Sequence, residues 1–171
     1  MANIDSLKQA LAFSPDNVPL ILLLAQAHLD AFGLDEAGEQ FQRALSLDPG
    51  NVTARVGLAQ ILDLNGKTSE AILRIEQVCA EFPNYAPAWK LRSKMALNES
   101  DARTARACYD KAISLDPECA DEHLLSRIEQ AGGRRETPKG PTPQAMGDWH
   151  AGAYFDPDQD SDSDDDPFGD L

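Results

Sequence analysis

The sequence predicts an all-α protein, a solenoid of about eight helices arranged as antiparallel pairs, followed by an acidic tail without regular structure. Three observations carry this expectation. The phrase "ALSLDPGN" at 44–51 returns as "AISLDPEC" at 112–119, and Pro15, Pro49, Pro83 and Pro117 all stand 34 residues apart. Only 6% of the residues are aromatic, while alanine and leucine are plentiful, a mixture that favours helices over strands. Charge density and composition then change abruptly near residue 132. Residues 1–132 hold 12 basic and 19 acidic residues, whereas 133–171 hold 3 and 10, so a net −7 is packed into less than a third of the length.

Further columns share the period, and each has a physical reason. Ala37, Ala71 and Ala105 recur, as do the small residues Ala25, Ala59 and Ser93. Two antiparallel helices approach closely only where side chains are small. Phe41, Ile75 and Tyr109 form a bulky column that fills the space between neighbouring pairs, with Ala44, Val78 and Ala112 three residues on. Each proline ends a helix, since it lacks an amide to donate and restricts the residue before it. Asn17 and Asn51 follow a proline by two residues and suit helix N-caps, and Pro87 is tolerated in a first turn. Gly33 and Gly66 mark the turn within a pair, with Asp35 and Thr68 as expected caps of the second helix. The predicted helices lie near 2–14, 18–31, 35–47, 52–64, 68–81, 86–98, 101–115 and 120–131. They give a half repeat at 1–17, full repeats at 18–51, 52–85 and 86–119, and a terminal helix within 120–132.

The period of 34, with "GLDEAGEQFQRALSLDPGN", "GKTSEAI" and "APAWKL…ACYDKAISLDP", resembles the tetratricopeptide repeat family over about residues 3–130. Arg92, in the column of Leu24 and Leu58, and Ser100, near the turn glycine's column, depart from the pattern. The resemblance implies that the first helix of each pair lines a concave groove that holds a partner peptide. The expected groove positions are Pro19, Leu22, Gln26 and Leu29, then Thr53, Val56, Gln60 and Asp63, then Pro87, Lys90, Lys94 and Leu97; spacings of three and four put each set on one helix face. The groove residues expected to matter most are Leu22 and Val56 as apolar anchors, Gln26 and Gln60 for a peptide backbone, and Lys90 with Lys94 for a carboxylate. Some family members clamp the acidic C-termini of heat-shock chaperones with lysines and asparagines; here Leu22, Gln26 and Gln60 stand where those residues are wanted, so that function is not expected.

Composition narrows the partners. A net charge of −14 disfavours nucleic acid, although residues 86–115 invert it locally with Lys90, Arg92, Lys94, Arg103, Arg106 and Lys111. That patch suits an acidic partner or the chain's own tail. The most apolar stretch, 18–29, falls short of the roughly 20 residues a membrane span needs, and the N-terminus lacks the basic start and apolar run of a secretory signal. Three cysteines without a C-x-x-C pair suit a reducing, cytoplasmic setting.

No enzyme is expected. "GKT" at 66–68 falls on the repeat's turn column, and Ile61 stands where a phosphate-binding loop needs glycine. His28, His123 and His150 show no metal-ligand spacing, and neither metal nor cofactor is expected. In the tail, Asp156 to Asp164 alternate as in a calcium loop, but Ser161 and Pro167 occupy its required glycine and glutamate positions. "DPF" at 166–168 is too short a phrase to specify a partner. The expected function is a non-enzymatic scaffold or adaptor. The alternatives are a recruiting arm of a bacterial AAA-type ATPase, suggested by the repeat–linker–"DDDPFGDL" layout, and a self-associating solenoid.

Overall fold

The computed structural model describes residues 4–132. The tail, and with it the expected disorder, the aspartate alternation, "DPF" and the docking of the tail on repeat three, lies outside the described residues. Within them stand eight α-helices: α1 (Ile4–Phe13), α2 (Val18–Asp30), α3 (Leu34–Leu47), α4 (Val52–Leu64), α5 (Thr68–Glu81), α6 (Ala86–Asn98), α7 (Ala102–Leu115) and α8 (Glu122–Gln130).

The caps repeat as the proline column requires. The Asn17 and Asn51 side chains accept the Leu20 and Ala54 amides, while Pro19 and Pro87 sit in first turns. The amides of Asp48, Phe82 and Asp116 close the last turns of α3, α5 and α7 on Ala44, Val78 and Ala112 at 2.8–2.9 Å, and a proline follows each. The second helices depart from expectation. α3 and α5 begin after Gly33 and Lys67, which make no side-chain cap, so Asp35 and Thr68 lie inside the first turn; of α3, α5 and α7, the last alone is capped, by Asp101 on the Thr104 amide.

The turn column is also one residue earlier than the glycine at 33 suggests. Phe32, Gly66 and Ser100 all adopt positive φ, at 59°, 78° and 65°. In each turn the following amide reaches back to the helix at 2.9 Å: Gly33 to the His28 carbonyl, Lys67 to Leu62, Asp101 to Ala96. This left-handed close satisfies carbonyls at the helix end, and without glycine it costs about 1–2 kcal/mol. Backbone hydrogen bonding therefore imposes the conformation on phenylalanine and serine alike.

The helices form two layers. The backbones of α2 and α4, α4 and α6, and α6 and α8 approach closely, whereas those of α1, α3, α5 and α7 stay farther from one another. The tighter layer is the inner side of a curved array. The small columns are buried as expected: Ala25, Ala59 and Ser93 are all 0% exposed, and Ser93 Oγ donates to the Ala105 carbonyl at 2.7 Å. Phe41 drives its ring onto α4 at Gly57, where an added Cβ would lie 2.4 Å from the ring. Before α8, a 3-10 turn at Pro117–Cys119 delays the N-cap to Asp121, two residues beyond the 34-residue register.

Candidate functional site

The inner layer presents side chains from α2, α4 and α6 along one side of the array. On α2, Pro19 and Gln26 are exposed and Leu22 is half-buried against the first core cluster; Leu29 is buried. Gln26 Nε2 donates to Asp30 Oδ1 at 2.7 Å. On α4, Thr53 is exposed and shares a 2.9 Å hydrogen bond with the Tyr85 hydroxyl, and Gln60 and Asp63 are half-buried. On α6, Pro87 and Lys94 are exposed, and Lys90 and Leu97 are half-buried.

Three expected groove residues are otherwise engaged: Leu29, 4% exposed in the first core cluster, Val56 and Lys90. Val56 is only 9% exposed and belongs to the core cluster around Ile75 and Met95. α4 is flanked by α2 and α6 on both sides, whereas among the described residues α2 has a flanking inner helix on one side, and the same column is closed over at Val56 but not at Leu22. Lys90 Nζ lies 3.4 Å from Asp121 Oδ2. Asp121 caps α8 through the Leu124 amide, and its backbone amide and carbonyl both bond the Tyr109 hydroxyl. The Leu124 amide, with Lys90 and Lys94, holds the Asp121 carboxyl below the ordinary carboxylate range.

The basic excess of repeat three is likewise largely used within the fold. Arg92 pairs with Glu76 of α5 at 2.9 Å and lies 3.6 Å from Glu99, and Arg106 pairs with Asp110 and with Glu129 of α8. These arginines tie neighbouring repeats together. Lys94 remains the exposed cation on the inner face of α6. Sequence spacing could show the Arg106–Asp110 pair, four residues apart on α7, but not the partners Glu76 and Glu129, which come from other helices.

At the N-terminal edge of α4, Arg55 pairs with Glu81 and lies 5.6 Å from the centroid of the Phe82 ring. The hydrogen bond from Arg55 holds the Glu81 carboxyl below its usual range. On the outer side, concavities of about 290 and 570 Å³ share Leu58 and Arg74. They lie between α3 and α5 over α4. Burial pushes the Cys79 thiol up to about 11 and raises Cys108 as well, which leaves little thiolate for nucleophilic chemistry. Among the described residues no cluster of three or more potential metal ligands occurs, and no helix is long and apolar enough to cross a membrane.

Helix pairs repeating every 34 residues, small residues at each crossing and an inner layer of first helices agree with two family models, both described as tetratricopeptide repeat, which match residues 29–95 and 86–119. The chain belongs to the tetratricopeptide repeat family. Cellulose synthase operon protein C of Pseudomonas fluorescens (strain SBW25) is 28% identical over 122 residues, 67% of this chain; the match spans 10% of that relative's length. A thermophilic tetratricopeptide repeat protein of Thermus thermophilus superposes with a TM-score of 0.61 at 18% identity, covering 75% of this chain and 70% of that one. The first repeat domain of Spaghetti (RPAP3), bound to the HSP90 peptide SRMEEVD, gives 0.56 at 15% identity, covering 67% and 90%. At these identities the solved structures share the tetratricopeptide repeat fold with this chain.

Proposed function

We propose that this tetratricopeptide repeat protein is a non-enzymatic scaffold that holds an extended segment of a partner protein along the inner face of α2, α4 and α6. The observation that carries this reading is the gradient of side-chain chemistry along that face. Leu22 offers apolar surface at one end, the Gln26 and Gln60 amides lie between, and exposed Lys94 stands at the other. A segment with an apolar residue at one end and a carboxylate at the other complements it. Lys90 contributes charge while tethered to Asp121, and Val56 contributes packing beneath the face. The Spaghetti domain, bound to an HSP90 peptide, supports peptide capture by this fold, although Leu22, Gln26 and Gln60 stand where a chaperone clamp wants lysine or asparagine.

The test is binding of a labelled peptide array that varies the position of one apolar and one acidic residue. Peptides of the stated polarity should bind wild type, and Lys94→Glu should weaken them about tenfold while leaving helicity unchanged. Lys94 is the proper probe, since Lys90→Glu also disturbs α8. Binding indifferent to both Lys94→Glu and Leu22→Asp sinks the assignment.

A further inference from the structure

The cleft between consecutive second helices is closed in two places and open in one. The column of Leu24, Leu58 and Arg92 forms its floor. Leu24, between α1 and α3, is 3% exposed, and the side chain of Arg92, between α5 and α7, is 13% exposed. Leu58, between α3 and α5, is half-buried beneath the concavity of about 570 Å³. Three positions account for the difference. Gly38 of α3 stands where the repeat columns place Ile4 on α1 and Ile72 on α5, each packed against a core cluster. Glycine leaves that isoleucine out, and a Cβ built at 38 would meet only Ile61 Cδ1, at 3.9 Å. Arg92 reaches Glu76 of α5 at 2.9 Å and so ties across its own cleft, whereas the equivalent Leu58 and Gln42 cannot form an ion pair. Arg74, in the column of buried Cys108, bonds Glu70 one turn back on its own helix at 2.9 Å rather than crossing to α3.

We infer that this open cleft docks a segment of a partner protein, which inserts a branched aliphatic side chain at Gly38 and sets lysine or arginine against Asp35 and Glu39. Shape selects the aliphatic residue. Leu34, Leu58, Ile61 and Leu62 floor the cleft, and the space above them is the one an isoleucine occupies in the neighbouring columns. Charge selects the flanking cation. Asp35 and Glu39 are exposed one helical turn apart on the α3 rim, while Arg74 on the facing rim is already neutralised by Glu70. A rim of that sign, on a chain of net −14, repels an acidic segment and complements a basic one. A second copy carries the same −14 and is disfavoured. The cleft shares no residue with the inner face of Leu22, Gln26, Gln60 and Lys94, so the inference stands apart from the peptide reading.

Fluorescence anisotropy with the full chain, at physiological salt to screen non-specific attraction, tests the cleft. The probe is a labelled alanine-based helical peptide carrying one isoleucine with a lysine about one turn to either side. Its controls replace the isoleucine by serine or both lysines by glutamate. The lysine–isoleucine peptide should bind at about ten to a hundred micromolar, and each control about tenfold more weakly or worse. Gly38→Ile fills the space from within and should weaken binding about tenfold or more. It should also keep or raise the melting temperature, because glycine is a poor residue for a helix interior. Asp35→Asn combined with Glu39→Gln should weaken binding about fivefold. Lys94→Glu should leave it within about twofold, which separates this cleft from the inner face. Binding that Gly38→Ile leaves intact overturns the inference. So does a glutamate peptide held as tightly as the lysine peptide, or no binding of the lysine peptide up to about a millimolar. Self-association of the chain that Gly38→Ile abolishes would give the cleft to a second copy and equally overturn it.

Discussion

The α2–α4 half of the array and the α6–α8 half share one backbone plan but are held by different forces. In the first, Phe41 fills a notch at Gly57 inside a cluster made of Leu11, Ile21, Leu24, Ala25, Phe41 and their neighbours. In the second, Arg92, Ser93, Arg106, Tyr109 and Asp121 replace much of that apolar contact with ion pairs and hydrogen bonds between helices. Apolar interlocking is short-ranged and indifferent to salt and acid, whereas the polar half depends on carboxylates remaining ionised. A solenoid passes stability only between neighbours, so the two halves can be loosened separately.

The sharpest way to break the comparison is Gly57→Ala. A helix interior gains about 1 kcal/mol from alanine over glycine, yet here the methyl meets the Phe41 ring at 2.4 Å, a rigid group with no flexible end to give way. We expect a net loss of about 1–3 kcal/mol in urea unfolding, equal at low and high salt. A stabilised variant would show that the ring is free to move.

Asp121→Ala probes the other half. Loss of the cap alone should cost about 1 kcal/mol, confined to α8 and read as faster amide exchange there. Because the folded Asp121 carboxyl lies below its ordinary range, its contribution is complete above the unfolded pKa of about 4 and is lost as pH falls through the lower folded value. Wild-type α8 should therefore open on acidification below about pH 4, while the variant shows a smaller acid dependence.

Arg92→Leu sharpens the comparison with the smallest effect. It restores the residue type of Leu24 and Leu58 to a side chain now 13% exposed, and its partners Glu76 and Glu99 are solvated enough to stand alone. Replacing a largely buried guanidinium, whose carboxylate partners stay in water, by an apolar side chain should be neutral or stabilising by about 1 kcal/mol, with a reduced salt dependence of unfolding. A loss larger than that would mean that the arginine sets the angle between repeats two and three.

Much of this was legible in the chain. The helix count, the second-helix ends before Pro49, Pro83 and Pro117, the asparagine caps and the small-residue crossings follow from local chemistry repeated at a fixed period. Other features were not. Phe32 rather than Gly33 takes the left-handed turn, because the amide of the next residue must reach a carbonyl five residues back whatever side chain is present. The shift of α8 hides in three ordinary residues, Pro117–Cys119.

For the candidate site the division is the same. Sequence by itself determined the family and the inner helix faces that carry Leu22, Gln26, Gln60 and Lys94, since periodicity is a property of one helix. Only the tertiary structure decided that Val56 is buried, that Lys90 is bound to Asp121, and that Leu23 is left open while Gly57 is covered. Those outcomes depend on which helices flank a given face, which a repeating column does not state.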